Sequence, residues 1–366
     1  MEQKLKEITK CFQLDGSLRS FERYGCGHIN TTWLLYTERG TRYILQKINR
    51  HVFRNVPALM QNVEAVTCFL AQASEDPRGS LRLVPTALGF SYHQDEEGEY
   101  WRIYRFVEDS ICLQQARTPA DFYESAIAFG TFQQMLKDFP VNTLTPTIPR
   151  FHDTADRYRI FRETLAADPM GRAAQISSEI AFALEREGEA DAIVSRLVSG
   201  ALPLRVTHND TKLNNVMLDA ASGRALCVID LDTVMAGSSL YDFGDSIRFG
   251  AASAAEDEQD LDRVEVRLDL FEIFTRGYLK ACPDLTELER KLLPLGAKLM
   301  TLECGVRFLT DYLDGDHYFA IHRPSHNLDR CRTQFRLVSD MERKWEALHA
   351  IVEAVSQEMK ANPGDE

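Results

Sequence analysis

No run of apolar residues in this 366-residue chain approaches membrane length, which excludes a helical membrane span. The start, Met1-Glu-Gln-Lys-Leu-Lys-Glu-Ile8, is charged and carries no targeting segment, so the protein is expected to stay in the cytoplasm. Positive charge is in deficit: 42 Lys and Arg against 55 Asp and Glu give a net charge of -13. Binding a nucleic-acid backbone needs clustered cations to displace counterions, so neither nucleic acid nor membrane is an expected partner. Eight cysteines, at positions 11, 26, 68, 112, 227, 282, 304 and 331, form no C-x-x-C pair and no zinc-like spacing with histidine, and read as reduced thiols. Cys227 lies in an apolar run and reads as core, whereas Cys26, between glycines, reads as accessible. Internal repeats and low-complexity linkers are also missing. The acidic runs Glu256-Asp-Glu-Gln-Asp260 and Gly364-Asp-Glu366 read as solvated surface.

What remains is an ordinary globular composition, 44% hydrophobic and 27% charged, in a chain long enough for two domains. Residues 1–107 read mostly as strands, with candidates at 18–24, 31–37 and 42–47 and glycines at 25, 27 and 40, which suggests an antiparallel sheet. One helix interrupts it over 57–72, where Leu59, Val63, Val66 and Leu70 recur at helical spacing. Residues 108–366 turn helical, with helices predicted over 119–139, 269–279, 288–313 and 328–360, the last capped by Asn327, and a turn-rich connector at 140–149. The expected class is α+β, a small sheet lobe followed by a larger, mainly helical one.

The chemistry concentrates in Val206-Thr-His-Asn-Asp-Thr-Lys-Leu-Asn-Asn-Val-Met-Leu-Asp219 and in the apolar run Leu226 to Ile229, which Asp230 closes. Two short strands joined by a turn form a hairpin that can bring Asn215 and Asp230 together as oxygen ligands for magnesium. Phosphoryl transfer asks a protein mainly to position the acceptor and neutralise charge. Asp210 is placed to take the proton of an attacking hydroxyl, and Lys212 to set its ammonium against the transferred group. His208 reads as a structural pin for the loop backbone. Asp232 either touches a second metal ion or caps the turn.

Further candidates lie outside this loop. Gly25 and Gly27 permit close approach of backbone N–H groups to phosphates, though an ordinary hairpin turn has the same composition. Lys47 ends a strand and pairs naturally with Glu64, seventeen residues on in the helix, with Arg42 and Arg50 as basic rivals. Tyr100-Trp-Arg-Ile-Tyr-Arg-Phe-Val-Glu-Asp109 suits a connector between lobes, with Phe106 and Val107 near an adenine, or else an aromatic edge strand. Arg307, Asp311, Tyr312, Asp316 and Tyr318 offer polar groups and aromatic faces within a dozen residues, as an acceptor pocket needs. Arg307 and Asp311 are equally spaced for a plain helix ion pair. His28 either reaches the acceptor or stabilises its turn.

The string His208-Asn-Asp-Thr-Lys-Leu-Asn-Asn215 resembles the catalytic loop of the protein-kinase superfamily, and Ile229-Asp-Leu-Asp-Thr233 resembles the metal-binding segment of aminoglycoside and choline kinases. Residues 207–249, including Leu240-Tyr-Asp-Phe-Gly-Asp-Ser-Ile-Arg248, closely resemble bacterial N-acetylhexosamine 1-kinases. So do Tyr24-Gly-Cys-Gly-His-Ile-Asn30, Tyr43-Ile-Leu-Gln-Lys-Ile-Asn49 and Gly305-Val-Arg-Phe-Leu-Thr-Asp-Tyr-Leu313. The resemblance implies a two-lobed protein-kinase-like fold, ATP as co-substrate, magnesium as cofactor and the anomeric hydroxyl of N-acetylglucosamine or N-acetylgalactosamine as acceptor. It implies that Lys47, oriented by Glu64, touches the nucleotide phosphates, that Arg307 and Tyr318 hold the sugar, and that Asp242 braces the catalytic loop instead of binding metal. The partners expected are thus a sugar and a nucleotide, with the protein a monomer or weak dimer. Another hydroxyl acceptor (aminoglycoside, choline, homoserine) or an inactive nucleotide-binding scaffold are the competing readings.

Overall fold

The computed structural model describes residues 2–25 and 29–361. Cys26, Gly27 and His28, singled out above, lie outside the described residues. In chain order the first part holds α1 (Glu2–Lys10), β1 (Leu18–Arg23), β2 (Thr31–Thr37), β3 (Arg42–Ile48), α2 (Val56–Ala73), β4 (His93–Gln94), β5 (Tyr100–Arg105) and β6 (Ser110–Cys112). Then come α3 (Pro119–Met135), α4 (Thr154–Ala167), α5 (Ser177–Arg186), α6 (Val194–Val198), β7 (Arg205–Thr207), β8 (Val216–Asp219), β9 (Ala225–Val228) and β10 (Met235–Gly237). The chain ends with α7 (Ser239–Gly250), α8 (Leu268–Ala281), α9 (Glu287–Lys291), α10 (Leu293–Asp314), α11 (His326–Arg343) and α12 (Trp345–Ala361). Antiparallel sheet comes first and helix dominates afterwards, as the sequence pattern implies. No helix among the described residues is long and apolar enough to cross a membrane.

Two compact units divide the chain, one of residues 1–112, 138–149 and 216–235, the other of residues 113–137, 150–215 and 236–366. In the first unit a five-stranded antiparallel sheet runs β1-β2-β3-β5-β4, and β6-β8-β9 make a second sheet. Strand alternation assigns its two faces. Tyr43 and Leu45 of β3 join Trp33, Leu35, Trp101 and Ile103 against Leu5, Ile8 and Phe12 in one buried cluster. Gln46, the residue after Leu45, pairs directly across from Arg102 of β5 on the opposite face. That face meets α2, since Arg102 Nη1 lies 3.8 Å from the Met60 sulfur. The helix α2 starts where Asn55 accepts from the Ala58 N–H at 3.2 Å and a proline occupies the first turn, a position where the missing N–H costs nothing.

In the second unit α10 packs against α4, α7 and α11, and α3 against α8. Single helices expected over 288–313 and 328–360 are each broken in two. Pro294 in the first turn of α10 cannot continue a preceding helix, so α9 ends at Lys291. Lys344 separates α11 from α12, its ammonium held by the Val266 carbonyl at 2.8 Å and Asp340 at 2.8 Å. Ser325, not Asn327, sits at the start of α11. The buried Asn327 amide is instead directed at Asp311 and Asp316, 2.9 Å from each.

The triplet Asp242-Phe-Gly244 has a packing reason for its glycine. A Cβ on Gly244 would sit 2.4 Å from the Gly296 carbonyl oxygen, and one on Gly296 would sit 2.7 Å from that of Leu240. Paired glycines thus set the close crossing of α7 and α10. Gly244→Ala is expected to destabilise the protein by ~1–3 kcal/mol, the usual cost of overpacking. A urea unfolding midpoint equal to wild type would contradict that close crossing.

Candidate active site

The loop between β7 and β8 carries the strongest sequence signal, and its conformation is fixed mainly by α7. Asp242, fully buried, accepts the His208 N–H at 3.0 Å, the Asn209 N–H at 2.8 Å and the Gln133 amide at 2.8 Å. Asp242 therefore braces the loop, in the role the resemblance implied. Burial raises its carboxyl pKa above the ordinary value, opposed by His208 and those hydrogen bonds. One helical turn on, Asp245 accepts the Thr211 N–H at 3.0 Å and pairs with Arg248 at 2.8 Å. Ser246 donates its hydroxyl to the Thr211 carbonyl at 2.9 Å. The imidazole of His208 is buried edge-on to Phe129 and Phe132 and accepts the Asp210 N–H at 3.3 Å, so it pins the backbone as expected.

On this frame the three polar residues of the loop meet. Lys212 Nζ lies 3.0 Å from Asp210 Oδ1, and Asn215 Nδ2 donates to Asp210 Oδ2 at 3.0 Å and to its carbonyl at 2.8 Å. The Asp210 charge raises the Lys212 pKa above that of an ordinary lysine, against the effect of burial, so the ammonium stays charged. A half-exposed carboxylate held from two sides, beside a fixed cation, is suited to accept a proton from a hydroxyl. Asn209, just before it, takes φ of +66°, a conformation that for a non-glycine residue is held by its surroundings at a cost of ~1 kcal/mol or more.

In the first unit, β8 and β9 pair with Val216 opposite Val228, the hairpin the sequence called for. Asp230, the second residue past β9, is exposed and has φ of +60°. Asp232 is different. Its side chain is 3% exposed, with Oδ1 2.5 Å from Arg102 Nη1 and Oδ2 2.6 Å from Asn30 Nδ2. Both oxygens are engaged, so the metal role considered for Asp232 is corrected to that of counter-ion for a buried arginine. Arg102 also donates to Gln46 Oε1 at 3.0 and 2.8 Å.

The Lys47–Glu64 pair is also corrected. Lys47 Nζ lies 3.3 Å from Glu99, which Arg50 shares at 3.5 Å, and Glu64 is exposed beside a hollow of about 340 Å³ lined by Thr67, Leu81 and Arg82. The cause is strand phase: Lys47 follows Tyr43 and Leu45 onto the α1 side, while Gln46 and Arg102 face α2. Gly25 takes φ of +78° with open space around its Cα. Phe106 packs edge-on to Tyr24 at 6.0 Å and under the Arg42 guanidinium at 4.1 Å. The Val107 carbonyl accepts the Ser110 hydroxyl at 2.6 Å.

The acceptor candidates divide. Arg307 of α10 sits 5.4 Å from the rings of Phe151 and Phe319 and 5.7 Å from Tyr318, whose hydroxyl is 3.5 Å from its guanidinium. Asp311 makes no ion pair with it. That buried carboxylate accepts the N–H groups of His317, Tyr318 and Phe319 at 2.8–2.9 Å and the Asn327 amide. Asp316 holds Arg172 at 2.7 Å, and Tyr312 lies buried under the same guanidinium at 4.6 Å. Asp311, Tyr312 and Asp316 are therefore corrected to supports of the turn that carries Tyr318.

Sequence reasoning missed His152 and Glu303. Glu303 Oε1 is 2.9 Å from His152 Nδ1, Oε2 accepts the Thr154 hydroxyl at 2.7 Å, and His152 Nε2 is 3.3 Å from the Asn209 carbonyl. A histidine 151 positions from its partner leaves no local signal.

Residues 20–280 match the phosphotransferase enzyme family, APH. The chain belongs to that family. Among solved structures it is similar to a microcompartment-associated aminopropanol kinase, at 14% identity over 95% of this chain and 99% of that one, with a TM-score of 0.57. It is similar to an aminoglycoside phosphotransferase from Alicyclobacillus acidocaldarius, at 13% identity over 97% and 96% with a TM-score of 0.58. A Plasmodium vivax ethanolamine kinase matches at 14% identity over 86% and 82%, with a TM-score of 0.54. This phosphotransferase thus shares the sheet-lobe and helical-lobe fold of those kinases.

Proposed function

We propose that this phosphotransferase moves the terminal phosphoryl group of ATP to the anomeric hydroxyl of N-acetylglucosamine or N-acetylgalactosamine, giving the sugar 1-phosphate and ADP. The observation that carries a transfer to a hydroxyl is the Asp210 carboxylate, held by Lys212 and Asn215 at 3.0 Å each. Asp210 takes the hydroxyl proton, and Lys212 offsets charge on the moving group.

Asn215 and Asp230 are the proposed magnesium ligands. The Asn215 amide nitrogen is directed at Asp210, which makes Oδ1 its ligand atom, and Asp230 offers an exposed carboxylate. An amide oxygen and a carboxylate are hard donors that suit magnesium. Once bound, the ion supplies neutralising charge for the phosphate oxygens. Gly25 and the Phe106–Val107 connector are the proposed nucleotide contacts.

The acceptor assignment rests on the resemblance of residues 207–249 and 305–313 and on the character of the Arg307 cluster. The acceptors named for the similar kinases, an amino alcohol, ethanolamine and aminoglycosides, are amines. A cationic acceptor is disfavoured beside Arg307 and its neighbour Arg157, whose pKa is held below the usual guanidinium value by burial and then by the Arg307 charge. Donors among aromatic rings suit a neutral sugar with an acetamido carbonyl. An acceptor panel followed by ADP release tests this: turnover is expected with both N-acetylhexosamines. Phosphorylation of ethanolamine, aminopropanol or an aminoglycoside with none of either sugar would overturn the acceptor, and nucleotide binding without turnover of anything would overturn the enzyme.

A further inference from the structure

We propose that His152 and Glu303 form a positioning pair that ties the acceptor side of the helical unit to the strained peptide preceding Asp210. The inference deepens the proposed function and rests on Asp210 being the base.

The peptide groups next to Asp210 are gripped from two directions. Asp242 takes the N–H groups of His208 and Asn209 at 3.0 and 2.8 Å. The opposite pole, the Asn209 carbonyl, faces His152 Nε2 at 3.3 Å. A carbonyl only accepts, and an ionised carboxylate only accepts. With Glu303 Oε1 2.9 Å from Nδ1, the ring is held between two acceptors, one at each nitrogen. His152 lies between the rings of Phe151 at 4.5 Å and Tyr241 at 5.3 Å, which fixes its plane. The Thr154 hydroxyl fixes Glu303 from its other oxygen.

Glu303 also stands one helical turn before Arg307 on α10. Residues four apart share a helix face, and α10 is closely packed against α7 where Gly296 meets Leu240 and Gly244. An acceptor held by Arg307 and Tyr318 is thereby referenced, through Glu303 and His152, to the residue that sets the direction of the Asp210 side chain. Without His152 the loop retains its N–H clamp but loses the carbonyl one, and Asn209 can relax from φ of +66°.

His152→Gln and Glu303→Gln test the pair. Each is expected to lower kcat by ~10- to 100-fold, the range over which a reacting group displaced by about 1 Å is felt. The affinity for a non-hydrolysable ATP analogue, measured by calorimetry, is expected to stay within about twofold, since neither residue contacts the metal ligands. The double variant is expected to be no slower than the slower single one, because residues acting as one unit are non-additive. Unchanged kcat in both variants, or additive losses, would overturn the proposal. So would a loss of nucleotide affinity and unfolding midpoint in step with kcat, the mark of a merely structural contact. Glu303→Gln replaces a single atom and serves where His152→Gln does not fold. The assay uses whichever acceptor the wild type phosphorylates, so failure of the sugar assignment leaves this test intact, and an active Asp210→Asn would remove the underlying reading separately.

Discussion

Asp210→Asn is expected to lower kcat by ~10²- to 10⁴-fold, the range supplied by a positioned general base, while nucleotide affinity changes little. The substitution keeps the shape of the side chain and removes its capacity to take a proton. It also upsets the local bonding in a defined way. The carboxylate accepts from Lys212 on one oxygen and from Asn215 on the other, whereas an amide has one acceptor and must present N–H to one of those donors. Part of the loss will therefore come from displacement of Lys212 or Asn215. Comparison with Asp210→Ala separates the two, since alanine removes the base without placing a donor against a donor. Steady-state ADP release in the presence of acceptor measures the effect. Near-normal turnover by Asp210→Asn would mean that another group accepts the proton, and the assignment of this loop as the catalytic centre would fall.

That loop was legible because its information is local. His208, Asp210, Lys212 and Asn215 lie within eight residues, and a β8–β9 hairpin follows from two apolar runs around a turn. Asp242 was set apart from the expected metal ligands by the resemblance to small-molecule kinases, which implies a bracing role there, and its hydrogen bonds to two backbone N–H groups agree with that role. The sheet and the helices were legible for the same reason, as periodicities of two and 3.6.

What escaped depends on phase and on distance. Reading β3 as presenting Lys47 to α2 was wrong by one residue, and one residue reverses the face of a strand. Gln46 lies on the α2 side, and the cation it meets comes from β5, fifty-six positions away. The same register explains Asp232, read from the sequence as either a second metal contact or a turn cap, which the fold gives to Arg102, 130 positions away. In α10 the spacing of Arg307 and Asp311 allowed two readings, an ion pair or a shared pocket. Neither holds for Asp311, because the turn at 316–319 folds its backbone N–H groups onto that carboxylate, a return of chain that helical periodicity does not encode.

Asp232→Ala should be among the most destabilising single changes outside the apolar core. Arg102 and Asp232 have side chains only 1% and 3% exposed, and the Asp232 carboxylate is the nearest compensation for a guanidinium lying among Gln46, Met60 and Tyr104. Removing one partner of such a pair leaves an uncompensated charge and costs ~3–5 kcal/mol, although the pair itself adds little net stability over apolar residues of similar volume. Two results are expected together in urea unfolding. Asp232→Ala lowers the unfolding free energy by that amount, and the double variant Arg102→Met with Asp232→Leu recovers more than half of it, short of full recovery because Asn30 and Gln46 lose their partners too. An Asp232→Ala protein as stable as wild type would show that Arg102 finds another anion or water, and the view of Asp232 as counter-ion instead of metal ligand would lose its footing. The contrast with Asp230 is physical: two carboxylates of one short segment differ in what surrounds them, one enclosed by donors of its own unit and one exposed at the end of a strand.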